Sequence, residues 1–284
     1  MATNQVRREA AKRKLERQQE KRVAQARRRQ RVAVLTSAAV VVVVVVGIVL
    51  VTTLGGGTDP VAAPPTDAAP AAGVPGSIPT EIAALPVRTT PLPDPTACDY
   101  VTGGAAAKPA ELPTGTGVSS AGTVAVTLAT SAGEIPLTLD RALAPCTVNS
   151  FVSLAQQGYF DGSPCHRLTT DPGLQVLQCG DPTGTGAGGP GYTVPDEVFP
   201  ELAYGRGILA MANSGTPNSG GSQFFIVYGD GELPPQYTAF GSIDPAGLEV
   251  VDTVAQAGHD GSFDPSPGGG APVEPVTIEA AVVA

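Results

Sequence analysis

The sequence predicts a mainly β domain, either a barrel or a sandwich capped by two helices, which a linker joins to one transmembrane helix. Residues 32–54 carry no charge, and residues 55–120 contain twelve prolines but few large apolar side chains. After residue 120, short apolar runs alternate with Gly- and Pro-rich loops. The 284 residues therefore divide into a basic cytoplasmic segment, a transmembrane helix, a disordered Pro/Ala/Gly-rich linker and a folded domain, at 1–31, 32–54, 55–120 and 121–284.

The first 54 residues read as a signal anchor. Residues 32–54 include seven consecutive valines from Val40 to Val46, and 23 helical residues span about 35 Å, enough to cross a hydrocarbon core of roughly 30 Å. Residues 1–31 hold twelve Lys or Arg against three Glu, although the whole chain has a net charge of -9. The positive-inside rule therefore assigns this flank to the cytoplasm.

Two other readings of this region stay open. A cleaved secretory signal has an apolar region of about 7 to 15 residues, shorter than this one. A basic arm can also bind nucleic acid, but this one has no aromatic residue for base stacking. We therefore expect an uncleaved single-pass anchor in the cell membrane, with residues 55–284 outside the cytoplasm and no nucleic-acid partner.

All four cysteines follow the predicted anchor, at Cys98, Cys146, Cys165 and Cys179. An even number in an oxidising compartment predicts two disulfides, and four cysteines allow three pairings. No C-x-x-C is present, and the chain has only two histidines. We therefore expect no metal ion.

The folded domain begins with a hairpin and a helix. Apolar residues alternate on both sides of the turn Ser131-Ala132-Gly133, which is typical of a β-hairpin. An i, i+3, i+4, i+7 pattern from Val148 to Ala155 predicts an amphipathic helix, with Thr147 as a candidate N-cap and Gly158 as its end. Four short strands, a second helix and a closing strand follow, around 164–169, 174–179, 206–212, 222–228, 248–257 and 276–283.

Five segments carry the functional signal, and in combination they resemble the cyclophilin family of peptidyl-prolyl cis-trans isomerases over about residues 122–284. They are Cys165-His166-Arg167, Gln178, Met211-Ala212-Asn213, Gly221 to Ile226, and Phe240-Gly241. The resemblance implies a closed eight-stranded antiparallel barrel capped by two helices. It also implies isomerase activity toward proline-containing polypeptides, without a cofactor.

Rotation about an X-Pro amide meets a barrier of about 18 to 20 kcal/mol, which arises from amide resonance. A guanidinium that donates a hydrogen bond to the imide nitrogen favours the twisted, non-resonant state. By resemblance Arg167 is this catalytic residue, and Gln178 binds substrate and holds the arginine. The Gly184 to Gly189 run matches G-x-G-x-x-G, but Pro190-Gly191 follows it, so we read it as a surface loop.

The resemblance also predicts the substrate groove. Gln175 stands where the family has a pocket phenylalanine, Val176 where it has methionine and Tyr237 where histidine is common. A change of register would let Leu174 supply the apolar pocket wall that is lost with the phenylalanine. Phe224 should point away from Phe225 into the core. The predicted substrate-binding residues are His166, Leu174, Gln175, Val176, Ala212, Asn213, Gln223, Phe225, Leu233 and Tyr237.

In the family, the positions of Cys165 and Cys179 lie on neighbouring antiparallel strands. The resemblance therefore predicts a Cys165–Cys179 disulfide, which leaves Cys98 to pair with Cys146. The leading hypothesis is a membrane-anchored bacterial isomerase of actinobacterial type that acts as a monomer in protein folding. The alternative is a proline-peptide binding module or chaperone with weak or no catalysis.

Overall fold

The computed structural model describes residues 73–284. The predicted basic segment and transmembrane helix lie outside these residues, and within 73–284 no helix is both long and apolar enough to cross a membrane. The elements are β1 (Val101–Thr102), β2 (Thr123–Thr130), β3 (Gly133–Asp140), α1 (Pro145–Gln156), β4 (Ser163–Pro164), β5 (Arg167–Leu168), β6 (Leu174–Cys179), β7 (Tyr192–Thr193), β8 (Ile208–Met211), β9 (Phe224–Gly231), β10 (Ala239–Ile243), α2 (Pro245–Ala257) and β11 (Thr277–Val283).

Nine strands form one antiparallel sheet in the order β4-β11-β2-β3-β10-β8-β9-β6-β5. No ladder joins the two edge strands of this sheet, so the structure shows the expected mainly β fold with two helices but does not show a closed eight-stranded barrel. The predicted strand at 164–169 is divided, because β4 pairs with β11 whereas β5 pairs with β6. Cys165 and His166 lie between these two short strands and carry the chain from one edge of the sheet to the other.

Aromatic side chains fill the core between α1 and the sheet. The rings of Phe151 and Phe160 lie 4.8 Å apart between centroids, and Phe224 and Phe240 pack against Phe151 at 5.3 and 5.4 Å. Phe224 is fully buried, which confirms its predicted position in the core. Such pairs each add about 0.5 to 1.5 kcal/mol beyond the burial of apolar area.

The N-terminus of α1 is satisfied by a distant carboxylate. Thr147, the predicted N-cap, lies in the first turn of the helix, and Ala144 is the N-cap without a side-chain hydrogen bond. The Glu197 carboxylate instead accepts hydrogen bonds from the backbone N–H groups of Cys146 and Thr147, at 2.9 and 2.8 Å. This arrangement binds the loop that carries Glu197 to the helix, since a carboxylate is favoured at a helix N-terminus.

Residues 73–120 differ from the expected free linker, because they contact the domain. Arg88 donates to the carbonyl oxygens of Leu143 and Glu197, at 2.8 and 2.6 Å. The short strand β1 pairs with β7, and the Tyr100 hydroxyl donates to the Cys146 carbonyl at 2.8 Å. These few contacts to residues distant in the sequence fix a segment that has few large apolar side chains of its own.

Both disulfides are present in the expected pairing. Cys98–Cys146 connects the segment 73–120 to α1, and Cys165–Cys179 joins the residue that precedes β5 to the end of β6. The described residues contain no free cysteine.

Candidate active site

Strand register brings three of the predicted residues side by side. Arg167 on β5 pairs with Gln178 on β6, and Gln178 in turn pairs with Phe225 on β9. Residues directly opposite one another in an antiparallel ladder point to the same face of the sheet. Two residue pairings therefore align a guanidinium, an amide and a phenyl ring in one row across three strands.

This row opens into a cavity of about 490 Å³. Its lining is one cationic residue, several amides and small groups, and apolar or aromatic side chains, with no carboxylate among the residues that line it. The lining comprises His166, Arg167, Leu174, Val176, Gln178, Thr185, Gly186, Ala212, Asn213, Phe225, Leu233, Tyr237, Phe263 and Pro267.

The Arg167 guanidinium is held by three acceptors. Its Nη1 donates to Gln178 Oε1 at 3.2 Å, its Nε to the Gly268 carbonyl at 2.9 Å and its Nη2 to the Pro267 carbonyl at 2.9 Å. Among the described residues it has no ion-pair partner, since the salt bridge there joins Arg206 to Asp252. Burial lowers the pKa of Arg167, but arginine keeps its charge in proteins.

A chain of amides continues from Arg167 to the far wall. Gln178 Nε2 donates to Gln223 Oε1 at 2.9 Å, and Gln223 Nε2 donates to the carbonyl oxygens of Gly186 and Gly188, both at 3.0 Å. Each amide therefore presents oxygen toward Arg167 and nitrogen away from it. We call this chain the amide relay.

The glycine-rich loop at the far end of the relay is organised by Asp181. This carboxylate accepts hydrogen bonds from the backbone N–H groups of Thr183, Gly186 and Gly188, at 2.8, 2.8 and 3.0 Å. Burial opposes its ionisation, but these bonds and the one from the Thr183 hydroxyl outweigh burial and lower the pKa of Asp181. The G-x-G-x-x-G run thus lies in a loop, as expected, and its carbonyl groups anchor the relay.

The apolar part of the cavity is built on β9 and the segment after it. Phe225 and Tyr237 meet edge to face with ring centroids 5.6 Å apart, and Leu233 packs beside them. Tyr237 is fixed through its backbone, since its N–H donates to the Tyr204 hydroxyl at 3.0 Å. The arrangement offers a concave apolar surface beside a fixed guanidinium.

His166 lies in the cavity wall with 5 % of its surface exposed. Neither ring nitrogen has a hydrogen-bond partner within residues 73–284. Burial lowers the pKa of His166 from its ordinary value. The ring therefore acts as a neutral wall of the cavity.

Eight of the ten predicted substrate-binding residues line this cavity. Gln223 lies in an adjoining recess, and Gln175 lines neither. Gln175 is buried, donates to the Ser77 carbonyl at 2.7 Å and accepts from the Asp230 N–H at 2.9 Å. Successive residues of a strand point to opposite faces, so Leu174 and Val176 line the cavity with Gln178 while Gln175 points away from it.

Sequence reasoning missed four lining residues, Thr185, Gly186, Phe263 and Pro267. The first two belong to the glycine-rich loop, whose run of Gly and Thr after Gln178 was read only as a surface loop. Phe263 is the sole aromatic residue after Phe240, and that isolation within a Gly/Pro-rich stretch was the available signal.

Comparison with known proteins identifies relatives of this chain. Residues 125–283 match the family model described as "Cyclophilin type peptidyl-prolyl cis-trans isomerase/CLD". The chain is 50 % identical over 186 residues to the probable peptidyl-prolyl cis-trans isomerase B of Mycobacterium tuberculosis, covering 61 % of this chain and 59 % of that relative. It thus spans about three fifths of that protein's length.

Two further relatives align over nearly their whole length. Peptidyl-prolyl cis-trans isomerase A of Mycobacterium tuberculosis is 37 % identical over 179 residues, which is 57 % of this chain and 92 % of that protein. A crystal structure of a cyclophilin-type isomerase from Cryptosporidium parvum, in the presence of the dipeptide Ala-Pro, is 31 % identical. It covers 56 % of this chain and 98 % of its own, with a TM-score of 0.47.

Proposed function

Because this chain belongs to the cyclophilin-type peptidyl-prolyl cis-trans isomerase family, we propose that it catalyses rotation about X-Pro peptide bonds. The observation that carries the proposal is that Arg167 and Phe225 line one cavity, aligned through Gln178. The substrates are proline-containing polypeptides, and the reaction transfers no proton or electron. What the site must do is hold a proline ring and stabilise a twisted amide.

The guanidinium keeps donors available for this task. Arginine carries five N–H groups, and the contacts to Gln178, Pro267 and Gly268 use one on each of its three nitrogens. One N–H therefore remains on Nη1 and one on Nη2. A hydrogen bond from either to the imide nitrogen withdraws its lone pair from resonance, and each 1.36 kcal/mol of preference for the twisted state gives a tenfold rate increase.

The amide relay keeps the guanidinium in position. Rotation of the substrate would otherwise require the protein to reorganise its dipoles, whereas a fixed hydrogen-bond chain is oriented before the reaction begins. The proline ring rests against Phe225 and Leu233, and the other flanking peptide stays in the open part of the groove. His166 contributes shape alone, because the reaction transfers no proton.

The test measures cis–trans exchange of a short Ala-Pro peptide by NMR exchange spectroscopy, with the full-length chain in mild detergent. We expect Arg167→Ala to lower kcat/KM by at least about a hundredfold, as removal of a transition-state donor does in other enzymes. Arg141→Ala, which removes a cation outside the cavity, serves as the matched control. Equal rates for wild type and Arg167→Ala would overturn the proposal.

The alternative is a proline-peptide binding module or chaperone with weak catalysis. One observation favours it: two carbonyl groups of this chain, those of Pro267 and Gly268, already accept hydrogen bonds from Arg167. Peptide titration by calorimetry separates the two functions. Binding without accelerated exchange would establish the module.

We also propose that the domain acts outside the cytoplasmic membrane as an anchored monomer. The support is the charge and length pattern of residues 1–54 and the presence of two disulfides, which are rare in reducing compartments. Protease added to intact bacterial spheroplasts that express the chain should digest the domain. Protection equal to that of a cytoplasmic marker would reject this location, and light scattering tests the monomer.

A further inference from the structure

The segment after α2 forms a compact loop, residues 260–270, which we call the 260–270 loop. It is closed by its own hydrogen bonds, since the Phe263 N–H donates to the Gly269 carbonyl and the Gly268 N–H to the Phe263 carbonyl, at 3.0 and 3.1 Å. Asp264 Oδ1 accepts from the Gly269 N–H at 2.8 Å. Gly270 then pairs with Leu168, directly after Arg167.

This loop contributes to the groove in two ways. The carbonyl groups of Pro267 and Gly268 hold the Arg167 guanidinium, while the side chains of Phe263 and Pro267 line the same cavity as Phe225. The ring of Phe263 is only half-buried. Because Gly270 is bonded to β5, the loop is fixed relative to the guanidinium.

The cavity lacks an aromatic ring that the resemblance predicts, and Phe263 supplies aromatic surface in its place. Gln175, at the position where the resemblance places a pocket phenylalanine, is turned away and bonded to Ser77 and Asp230. Leu174 and Val176 supply aliphatic surface only. Phe225 and Tyr237 pack against each other, whereas Phe263 has no ring partner among the described residues.

We propose that Phe263 determines substrate specificity by packing against the residue directly adjacent to the substrate's proline. A half-exposed aromatic ring beside a fixed cation is a surface that gains from contact with a large apolar side chain. Peptides with Leu or Phe next to proline are therefore better substrates than peptides with Ala. The proposal rests on the proposed isomerase function and identifies the class of sequence that the site prefers.

The experiment compares two series of capped peptides, in which Ala, Leu or Phe either precedes or follows proline. Exchange rates give kcat/KM, and calorimetry on the same peptides gives affinity without reference to catalysis. For the wild-type chain we expect Leu and Phe to exceed Ala by about five- to tenfold in one series, since an apolar contact in an open pocket contributes on this scale. Phe263→Ser should reduce that ratio to about one, and Phe263→Leu should give an intermediate ratio.

Val273→Ser is the matched control, because Val273 follows the loop, is exposed and does not line the cavity. It should retain the wild-type ratio. A wild-type ratio near one in both series, or an unchanged ratio in Phe263→Ser, overturns the inference. Wild-type binding that depends on Phe263 without any exchange would instead overturn the isomerase function and leave the role of Phe263 standing.

Discussion

Exchanging Gln223 for glutamate tests whether the amide relay positions Arg167. Gln223 Nε2 donates to two carbonyl oxygens, those of Gly186 and Gly188, and its Oε1 accepts from Gln178. The Gln223→Glu substitution keeps the size and the acceptor but replaces both donor hydrogens with a negative charge. The side chain can no longer face the two carbonyl oxygens, so Gln178 loses its fixed partner and Arg167 its fixed orientation.

The magnitude follows from the two lost hydrogen bonds. At about 1 kcal/mol each, they correspond to about 2 kcal/mol, or a roughly thirtyfold loss of kcat/KM at 1.36 kcal/mol per factor of ten. Peptide affinity should fall less than kcat, because Gln223 supports the guanidinium and leaves the Phe225 surface unchanged. A positioning role therefore predicts a loss concentrated in kcat.

The pH profile distinguishes this role from general disruption. A protonated carboxyl regains one donor, and facing carbonyl oxygens favour that form, so the pKa of the introduced group should exceed its ordinary value of about 4.3. The activity of the variant should therefore recover toward wild type as the pH falls from about 7.5 to 5. NMR exchange measures it without a coupling protease. Gln236→Glu, at an exposed residue next to Tyr237, adds the same charge as a control, and equal activity of the two variants would refute the relay.

Three further predictions concern the frame of the site. Gly269→Ala should destabilise the fold by about 3 kcal/mol and Gly268→Ala by about 1 kcal/mol, measured by urea unfolding. Both glycines have a positive φ, but only at Gly269 would the added methyl group overlap the Leu168 carbonyl. Equal losses of stability would contradict this prediction. Replacing Cys165 and Cys179 together by Ala should lower the unfolding free energy by about 3 kcal/mol, the chain-entropy value for a loop of roughly 15 residues, and a loss below about 0.5 kcal/mol would count against it. Burial lowers the pKa of His166, so below the ordinary value of about 6.5 the unfolded chain binds a proton that the folded chain does not. Wild type should therefore lose stability relative to His166→Phe as the pH falls below about 6.5. A stability difference between the two proteins that stays constant down to about pH 5 would refute this prediction.

Local patterns were sufficient to predict much of this domain. The alternation around Ser131-Ala132-Gly133 predicted the β2–β3 hairpin, and helical spacing predicted α1, because each pattern depends on neighbours in the chain. The resemblance carried by the motifs around Arg167 and Phe225 predicted a shared site for a different reason. These motifs are short segments whose side chains must meet in one site.

The sequence could not reveal features that depend on single distant contacts. Residues 73–120 lack core-forming composition, and what holds them is Arg88, Tyr100 and Cys98, three separate side chains whose partners lie far along the chain. Gln175 is held by hydrogen bonds to the distant residues Ser77 and Asp230, and Phe263 reaches the cavity only through the closure of its loop. The predicted membrane segment and its orientation stay predictions.

The fastening of residues 73–120 has a practical consequence for anyone who trims this protein to the stretch that its family shares. A fragment cut at residue 125 would discard Cys98 and expose Cys146 as a lone thiol, free to cross-link two molecules. It would also strip the Arg88 guanidinium from the carbonyl groups it caps near α1. Covalent dimers in such a preparation would result from the loss of the segment that carries Cys98, and would not represent a native assembly.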